Sequence, residues 1–293
     1  MPCFFREAPF ALCCVLGLVR AQDAIDDLDL ENRITEACVA LGAQEAFPPF
    51  AKLRQQGTTR RRFPLKLAPI RTAPLRGPEL RDAVLRSSLI VGRCYRCPEC
   101  GERHFDGSSG FALARNGIVA TCAHLLEEDP QQPETVLAVA DLGGRVWPVL
   151  EVLACDTVRD ACILRIDAEL SPLPLRCDVR AGEEVWLASN PDHCFGYFDR
   201  GVVARWYRYR PADSEAAKGP APLWLQVTTP FGRGSSGGAL VDDRGNCVGF
   251  AQSTETVVHD ETAERPDVQM VFYNATPAEA LRALVGPADG GPK

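Results

Sequence analysis

The chain has 293 residues, 46% of them hydrophobic and 24% charged, which fits a folded globular protein and excludes collagen-like, low-complexity and disordered classes. That length suits one domain of about 200 residues with extensions. A formal net charge of −7 disfavours a general nucleic-acid partner, which a basic surface would attract.

From the start, Ala8 to Val19 is an apolar run preceded by a single basic residue, Arg6. It is too short for a comfortable span of a hydrocarbon core about 30 Å thick. With Val19-Arg20-Ala21 offering small or apolar residues at the −3 and −1 positions, residues 1–21 read as a secretory signal peptide cleaved after Ala21, an uncleaved anchor being the other reading. Residues 22–77 then form an N-terminal extension. In it, Ile25, Leu28, Leu30, Ile34, Cys38 and Leu41 fit the apolar face of one amphipathic helix. The basic stretch from Lys52 to Arg71, with Arg60, Arg61, Arg62 and Lys66, sits among Pro, Gly, Gln and Thr. It reads as a solvated flexible arm or, alternatively, as a protease-sensitive propeptide or surface-binding segment.

Residues 78–285 carry short apolar runs broken by Gly, Pro, Asn and Asp. Strands are predicted at Ser88–Gly92, Gly110–Arg115, Ile118–Thr121, Thr135–Ala140, Arg145–Val152, Ala161–Ile166, Glu184–Ala188, Arg200–Tyr207, Leu223–Thr228, Ala239–Asp242, Cys247–Gln252 and Gln269–Tyr273. Twelve such strands suit an all-β fold of two six-stranded antiparallel barrels. Asp243-Arg244-Gly245-Asn246 reads as a hairpin turn. Thr276 as N-cap and Pro277 at the first helical position predict a short closing helix through Val285, and residues 286–293 read as a flexible tail.

Of thirteen cysteines, ten remain once Cys3, Cys13 and Cys14 are assigned to the leader, and an even number in an exported chain suits disulfides. Cys94, Cys97, Cys100 and His104 cluster between the first two strands. Disulfides, a structural zinc site built from these four residues and redox chemistry are all open there. Cys155 and Cys162 flank a turn around Asp160, where a bridge would stiffen the hairpin. Cys122 falls on the same side of its strand as His124. Cys38, Cys177, Cys194 and Cys247 have no assigned partner.

Three segments carry chemistry. In Gly232–Leu240 (GRGSSGGAL), glycines on both sides let a tight loop present the Ser236 hydroxyl beside free backbone N–H groups. A serine attacks a carbonyl at neutral pH only if a base takes its proton and a third group orients the base. Gly117–His124 (GIVATCAH) ends a strand-like run on a histidine, and Asp156–Ile166 (DTVRDACILRI) sets Asp160 ahead of another run.

In that order, His124, Asp160 and Ser236 resemble the triad of trypsin-like serine proteases of the chymotrypsin fold. Leu225–Leu240, with Ala188–Pro191 and Gly201–Ala204, is similar to the HtrA/Deg branch. The likeness runs from about Arg86 to Val285 and, with so short a tail, implies no C-terminal PDZ module. It implies a nucleophile at Ser236, a general base at His124, an orienting carboxylate at Asp160 and an oxyanion hole from the N–H groups of Gly234 and Ser236. Ser235 stands where digestive relatives carry an aspartate, so Ile90-Val91-Gly92-Arg93 is not expected to act as a trypsinogen-like activation terminus. Thr228 departs from the branch, which often has an acidic residue there.

The same likeness implies a substrate pocket at Pro230, Phe231, Gly232, Arg233, Ala251, Gln252 and Ser253. With Pro230 in place of a pocket-floor aspartate, small or medium apolar side chains are preferred over Lys and Arg. The implied function is a serine endopeptidase, secreted or in the periplasm or cell envelope, acting on exported polypeptides. No cofactor is required beyond a possible structural zinc, and no stable membrane span is expected after leader removal. Two rival readings are a catalytically silent protease-like scaffold and a zinc-dependent enzyme.

Overall fold

The structure, a computed structural model, describes residues 24–209, 221–259 and 267–287. The predicted leader, residues 1–21, and the tail from residue 288 lie outside the described residues. No helix among the described residues is long and apolar enough to cross a membrane.

Two helices precede the sheets, α1 (Asp27–Ala43) and α2 (Phe50–Thr59), followed by the short strand β1 (Phe63–Pro64) and helix α3 (Pro78–Leu85). The first β unit comprises β2 (Ser88–Arg96), β3 (Arg103–Ala114), β4 (Ile118–Thr121), β5 (Val136–Ala140), β6 (Val146–Pro148), β7 (Glu151–Asp156) and β8 (Ala161–Arg165). The second comprises β9 (Glu184–Ser189), β10 (Tyr197–Arg208), β11 (Leu223–Val227), β12 (Ala239–Val241), β13 (Cys247–Val258) and β14 (Val268–Pro277). Helix α4 (Ala278–Leu284) and the strand β15 (Val285–Gly286) close the chain, and β15 pairs in parallel with β1.

The second unit is a closed six-stranded barrel in the order β10-β11-β14-β13-β12-β9. The first is a seven-stranded sheet in the order β6-β5-β2-β3-β4-β8-β7. Its extra strand comes from the predicted run Arg145–Val152, which breaks at Pro148. Proline has no N–H to donate, so the ladder ends there, and the next two N–H groups reach opposite edges: Val149 donates to Leu137 at 3.0 Å and Leu150 to Arg165 at 2.8 Å. The chain thus turns a corner from β5 to β8, joining the two edges of the sheet.

Leu89, Val119, Leu137 and Leu164 fill the first unit, and Val185, Leu187, Leu225 and Leu240 the second. A third apolar cluster joins them. Phe111 of β3 and Phe250 of β13, both fully buried, lie 6.5 Å apart between ring centres, with Leu281 of α4 in the same cluster.

Helix α1 follows its predicted face: Leu30, Ile34 and Cys38 are buried against Ile90, Phe105 and Ala138. Leu28 departs from it and is 70% exposed, because two residues from Leu30 is about 200° around the helix. The predicted flexible arm is corrected: Lys52–Arg71 contains α2 and then an extended segment fastened to the first unit and to the β12–β13 turn. The Arg60 carbonyl accepts from Cys155 N–H at 2.9 Å, Arg61 donates to the Cys155 carbonyl at 3.2 Å, and Arg71 N–H donates to Asn246 Oδ1 at 2.8 Å. Bonds of this kind satisfy backbone groups that burial would otherwise leave unpaired, which composition does not reveal. The predicted turn at Asp243–Asn246 joins β12 to β13. At the C-terminus α4 begins at Ala278, with Pro277 at the cap. Pairing of β13 with β14 continues through Gly249 and Pro277, and the Thr276 hydroxyl donates to the Arg159 carbonyl at 3.1 Å instead of capping the helix.

Candidate active site

Strand β4 ends at Thr121, and the 3-10 turn Ala123–Leu126 that follows carries His124. Arg93, the last residue of the segment compared with an activation terminus, holds this turn. Its guanidinium donates to the carbonyls of His124, Leu125 and Glu127 at 3.2, 2.8 and 2.7 Å. Ile90 of that segment is fully buried in mid-strand, paired with Ser109 and Ala140.

Asp160 ends the β7–β8 turn with φ +51, in the left-handed region that Asp tolerates better than most residues. Its side chain faces His124 twice: Oδ1 accepts from the His124 backbone N–H at 2.8 Å, and Oδ2 lies 2.7 Å from Nδ1. A third bond comes from Gln252 of β13, whose Nε2 donates to Oδ2 at 3.1 Å. Burial alone would raise the Asp160 pKa, but the His124 bonds and charge, with Gln252, outweigh it and hold the carboxyl below its ordinary value. On His124, burial pushes downward and is outweighed by the hydrogen bond and charge of Asp160, so the imidazole pKa is raised. Nδ1 is thereby committed to the carboxylate as a donor, leaving Nε2 as the basic atom.

The loop with Ser236 rests on the first unit through two neighbouring serines of β3. Ser108 Oγ and Ser109 N–H donate to the Ser236 carbonyl at 2.8 and 3.0 Å, and Ser109 Oγ donates to the Gly234 carbonyl at 2.8 Å. Ser109 Oγ also accepts from Asn190 N–H at 2.9 Å. This approach is close enough that a Cβ on Gly237 would sit 2.2 Å from the Ser109 carbonyl oxygen, and one on Gly234 2.4 Å from that of Asn190. Both glycines also have positive φ, +87 and +85. The N–H groups of Gly234 and Ser236 have no acceptor among the described residues. Ser109→Ala removes a buried hydroxyl with two partners, so unfolding free energy is expected to fall by about 1–3 kcal/mol. Urea denaturation checks this, and an unchanged midpoint would mean that Ser109 does not clamp the loop.

Ser236 Oγ donates to the Gln252 carbonyl at 3.2 Å, not to His124. His124 and Ser236 nevertheless face one cleft of about 370 Å³, whose other walls include Arg93, Asp106 and Arg233. A larger cavity of about 930 Å³ opens on the other side of His124, between β13 residues Gln252–Glu255 and helix α2. The N-terminal extension therefore forms part of the wall of this larger cavity.

The predicted pocket residues separate. Gln252 and Ser253 line the larger cavity and Arg233 the smaller, Phe231 and Ala251 are buried in the second barrel, and Pro230 and Gly232 are exposed. Phe231 stacks on Tyr273 with ring centres 5.2 Å apart. Thr228, the departure from the branch pattern, accepts from Val202 N–H at 2.9 Å through Oγ1. Ser108, Ser109 and Arg93 were not singled out as site residues from sequence. Serine in a strand and one arginine in an Arg-rich chain carry no pattern that marks them.

Cysteine placement alters one expectation. Cys97, Cys100 and His104 converge, but Cys94 points to the opposite face of β2, where it is buried in a cluster with Cys38. Cys94 lies within β2 and Cys97 in the turn beyond it, so three of the four residues weighed for zinc come together. Cys155 and Cys162 are directly opposed on β7 and β8. Cys122 is buried beside Asp160, with Sγ 3.4 Å from the Ala251 carbonyl, and burial and the Asp160 charge push its thiol pKa well up.

Residues 108–250 match the family of trypsin-like peptidase domains, a span that includes His124, Asp160 and Ser236. Among curated proteins the chain is similar to serine endoprotease DegS of Haemophilus influenzae, 26% identical over 53% of this chain and 44% of that one. It is also similar to mitochondrial serine protease HTRA2 of Bos taurus, 31% identical over 48% of this chain and 30% of the relative. Chloroplastic protease Do-like 1 of Arabidopsis thaliana is 27% identical over 48% of this chain and 32% of the relative. The chain spans less than half the length of these relatives.

Proposed function

We propose, from the match of residues 108–250 to the trypsin-like peptidase domains, that this chain is a serine endopeptidase with Ser236 as nucleophile, His124 as general base and Asp160 as the orienting carboxylate. The observation that carries it is the 2.7 Å contact of His124 Nδ1 with Asp160 Oδ2, which leaves Nε2 on the cleft shared with Ser236. Rotation about the Ser236 Cα–Cβ bond frees Oγ from Gln252 and turns it to the imidazole. Oγ then attacks the scissile carbonyl carbon as its proton passes to His124 Nε2. The carbonyl oxygen, now negative, takes the N–H groups of Gly234 and Ser236, each donor contributing on the order of 3 kcal/mol to transition-state stabilisation. His124 returns the proton to the leaving amine, the C–N bond breaks, and water repeats the sequence on the acyl-enzyme.

The substrates are polypeptides, and the leader-like N-terminus supports exported or envelope proteins as targets. A small or apolar P1 residue is favoured, because Pro230 stands where a pocket-floor carboxylate would be needed to hold a Lys or Arg side chain. A peptide panel checks this. Cleavage predominantly after small or apolar residues is expected, and cleavage mainly after Arg or Lys would reject it.

A fluorophosphonate probe tests the activity itself. Covalent labelling mapped to Ser236 by mass spectrometry is expected. The rival reading, a silent scaffold, draws on the Ser236 hydroxyl being turned to Gln252, and a folded protein that takes no label would favour it.

A further inference from the structure

The hairpin between β2 and β3 carries a second set of reactive side chains that the peptidase reading leaves unused. Cys97 and Cys100 lie in its turn and His104 is the second residue of β3. Their two sulfurs and a ring nitrogen all lie within 4.8 Å of one another, with Cys100 Sγ 3.1 Å from His104 Nε2.

Local sequence builds this convergence. The turn Cys-Pro-Glu-Cys-Gly is closed by Gly101 N–H donating to the Cys97 carbonyl at 2.9 Å and Cys97 N–H donating to the Glu102 carbonyl at 2.8 Å, with Gly101 at φ +77. The thiolate is the form of cysteine that ligates metals. Two thiolates and an imidazole form a borderline-soft donor set suited to a d10 ion, unlike the oxygen ligands that magnesium and calcium select. Cys100 and His104 are exposed and Cys97 is half-buried, so an ion reaches them without unfolding the hairpin.

We propose that Cys97, Cys100 and His104 bind one zinc-class divalent cation, with a fourth coordination position open to water or an added ligand, and that the ion pins the hairpin whose stem walls the catalytic cleft. Binding forms two metal–sulfur bonds and one metal–nitrogen bond and releases the thiol protons to solvent. The route to the cleft is short. Strand alternation places His104, Asp106 and Ser108 on one face of β3. Asp106 lies 3.4 Å from an Arg233 nitrogen, and Ser108 donates to the Ser236 carbonyl at 2.8 Å. Ordering the tip therefore orders groups that touch the nucleophile loop. The metal site itself does not depend on the peptidase reading.

The test uses the full chain, reduced and freed of metal, titrated first with Co2+ and then with Zn2+. Expected are one Co2+ per chain with the visible absorption of a tetrahedral cobalt–thiolate centre, displacement by Zn2+, and loss of that absorption in the Cys97→Ser/Cys100→Ser double variant. His104→Ala should weaken binding at least tenfold, and Cys94→Ser should leave it unchanged. Absence of the cobalt–thiolate absorption, or its persistence in the double variant, overturns the site. So does a Cys97–Cys100 disulfide that re-forms in the presence of stoichiometric Zn2+. Hydrogen exchange reads the coupling: amides of residues 97–108 should slow when Zn2+ is added, and unchanged exchange with metal bound overturns the pinning.

Discussion

Ser236→Ala is expected to lower kcat on the order of a million-fold while leaving the fold intact. In a triad acting as one unit, loss of the nucleophile removes the covalent route altogether. What survives is the background supplied by the oxyanion donors and substrate binding. The substitution costs little structurally, because Ser236 Oγ makes a single 3.2 Å bond, to the Gln252 backbone carbonyl. Peptide hydrolysis and fluorophosphonate labelling, measured on protein whose unfolding curve matches the parent, check it. Activity within tenfold of the parent would mean that another group performs the attack.

Asp160→Asn is expected to lower kcat about 10⁴-fold near neutral pH. Asparagine keeps the size of the side chain and tolerates φ +51, but an amide nitrogen facing His124 Nδ1 favours the wrong tautomer. The pH profile separates this cause from simple misfolding. In the parent, the raised His124 pKa places the acid limb of activity above pH 6.5, because the imidazolium cannot take the Ser236 proton. Without the Asp160 charge the remaining influence of burial lowers that pKa, so the limb should move to lower pH in the variant. An acid limb at the same pH in both would show that Asp160 does not set the His124 pKa.

The same pair links stability to pH, with opposite signs for its members. Asp160, whose pKa is lowered on folding, contributes stability above its ordinary 3.8 that is lost as pH falls through the folded value. His124, whose pKa is raised, contributes below 6.5 and loses that contribution as pH rises through its folded value.

Much of the site was legible because its chemistry is tied to local sequence. Glycines around Ser236 and apolar runs ending at His124 and preceding Asp160 mark three positions without any knowledge of contacts. Gln252 was legible only as a pocket residue, whereas folding also makes it a donor to Asp160 Oδ2. Arg93, Ser108 and Ser109 were silent. Each acts on a partner 12 to 128 residues away whose approach depends on how the sheets close. Misreadings share that origin. Lys52–Arg71 looks like a solvated arm by composition, yet its polar groups bond to β7, to α2 itself and to Asn246.

What the sequence determined by itself is the alternation of short apolar strands with breakers, the helix of Leu30, Ile34 and Cys38, and the order of an imidazole, a carboxylate and a hydroxyl in strand-end or loop contexts. These depend on period, turn chemistry and residue type, all local properties. The tertiary structure alone decided that Pro148 turns a corner, that Cys94 leaves its neighbours for Cys38, that α2 walls the larger cavity, and that two serines of one sheet hold the nucleophile loop of the other. Those outcomes depend on which buried donors and acceptors must find partners once the sheets pack, and that pairing exists only between segments that folding brings together.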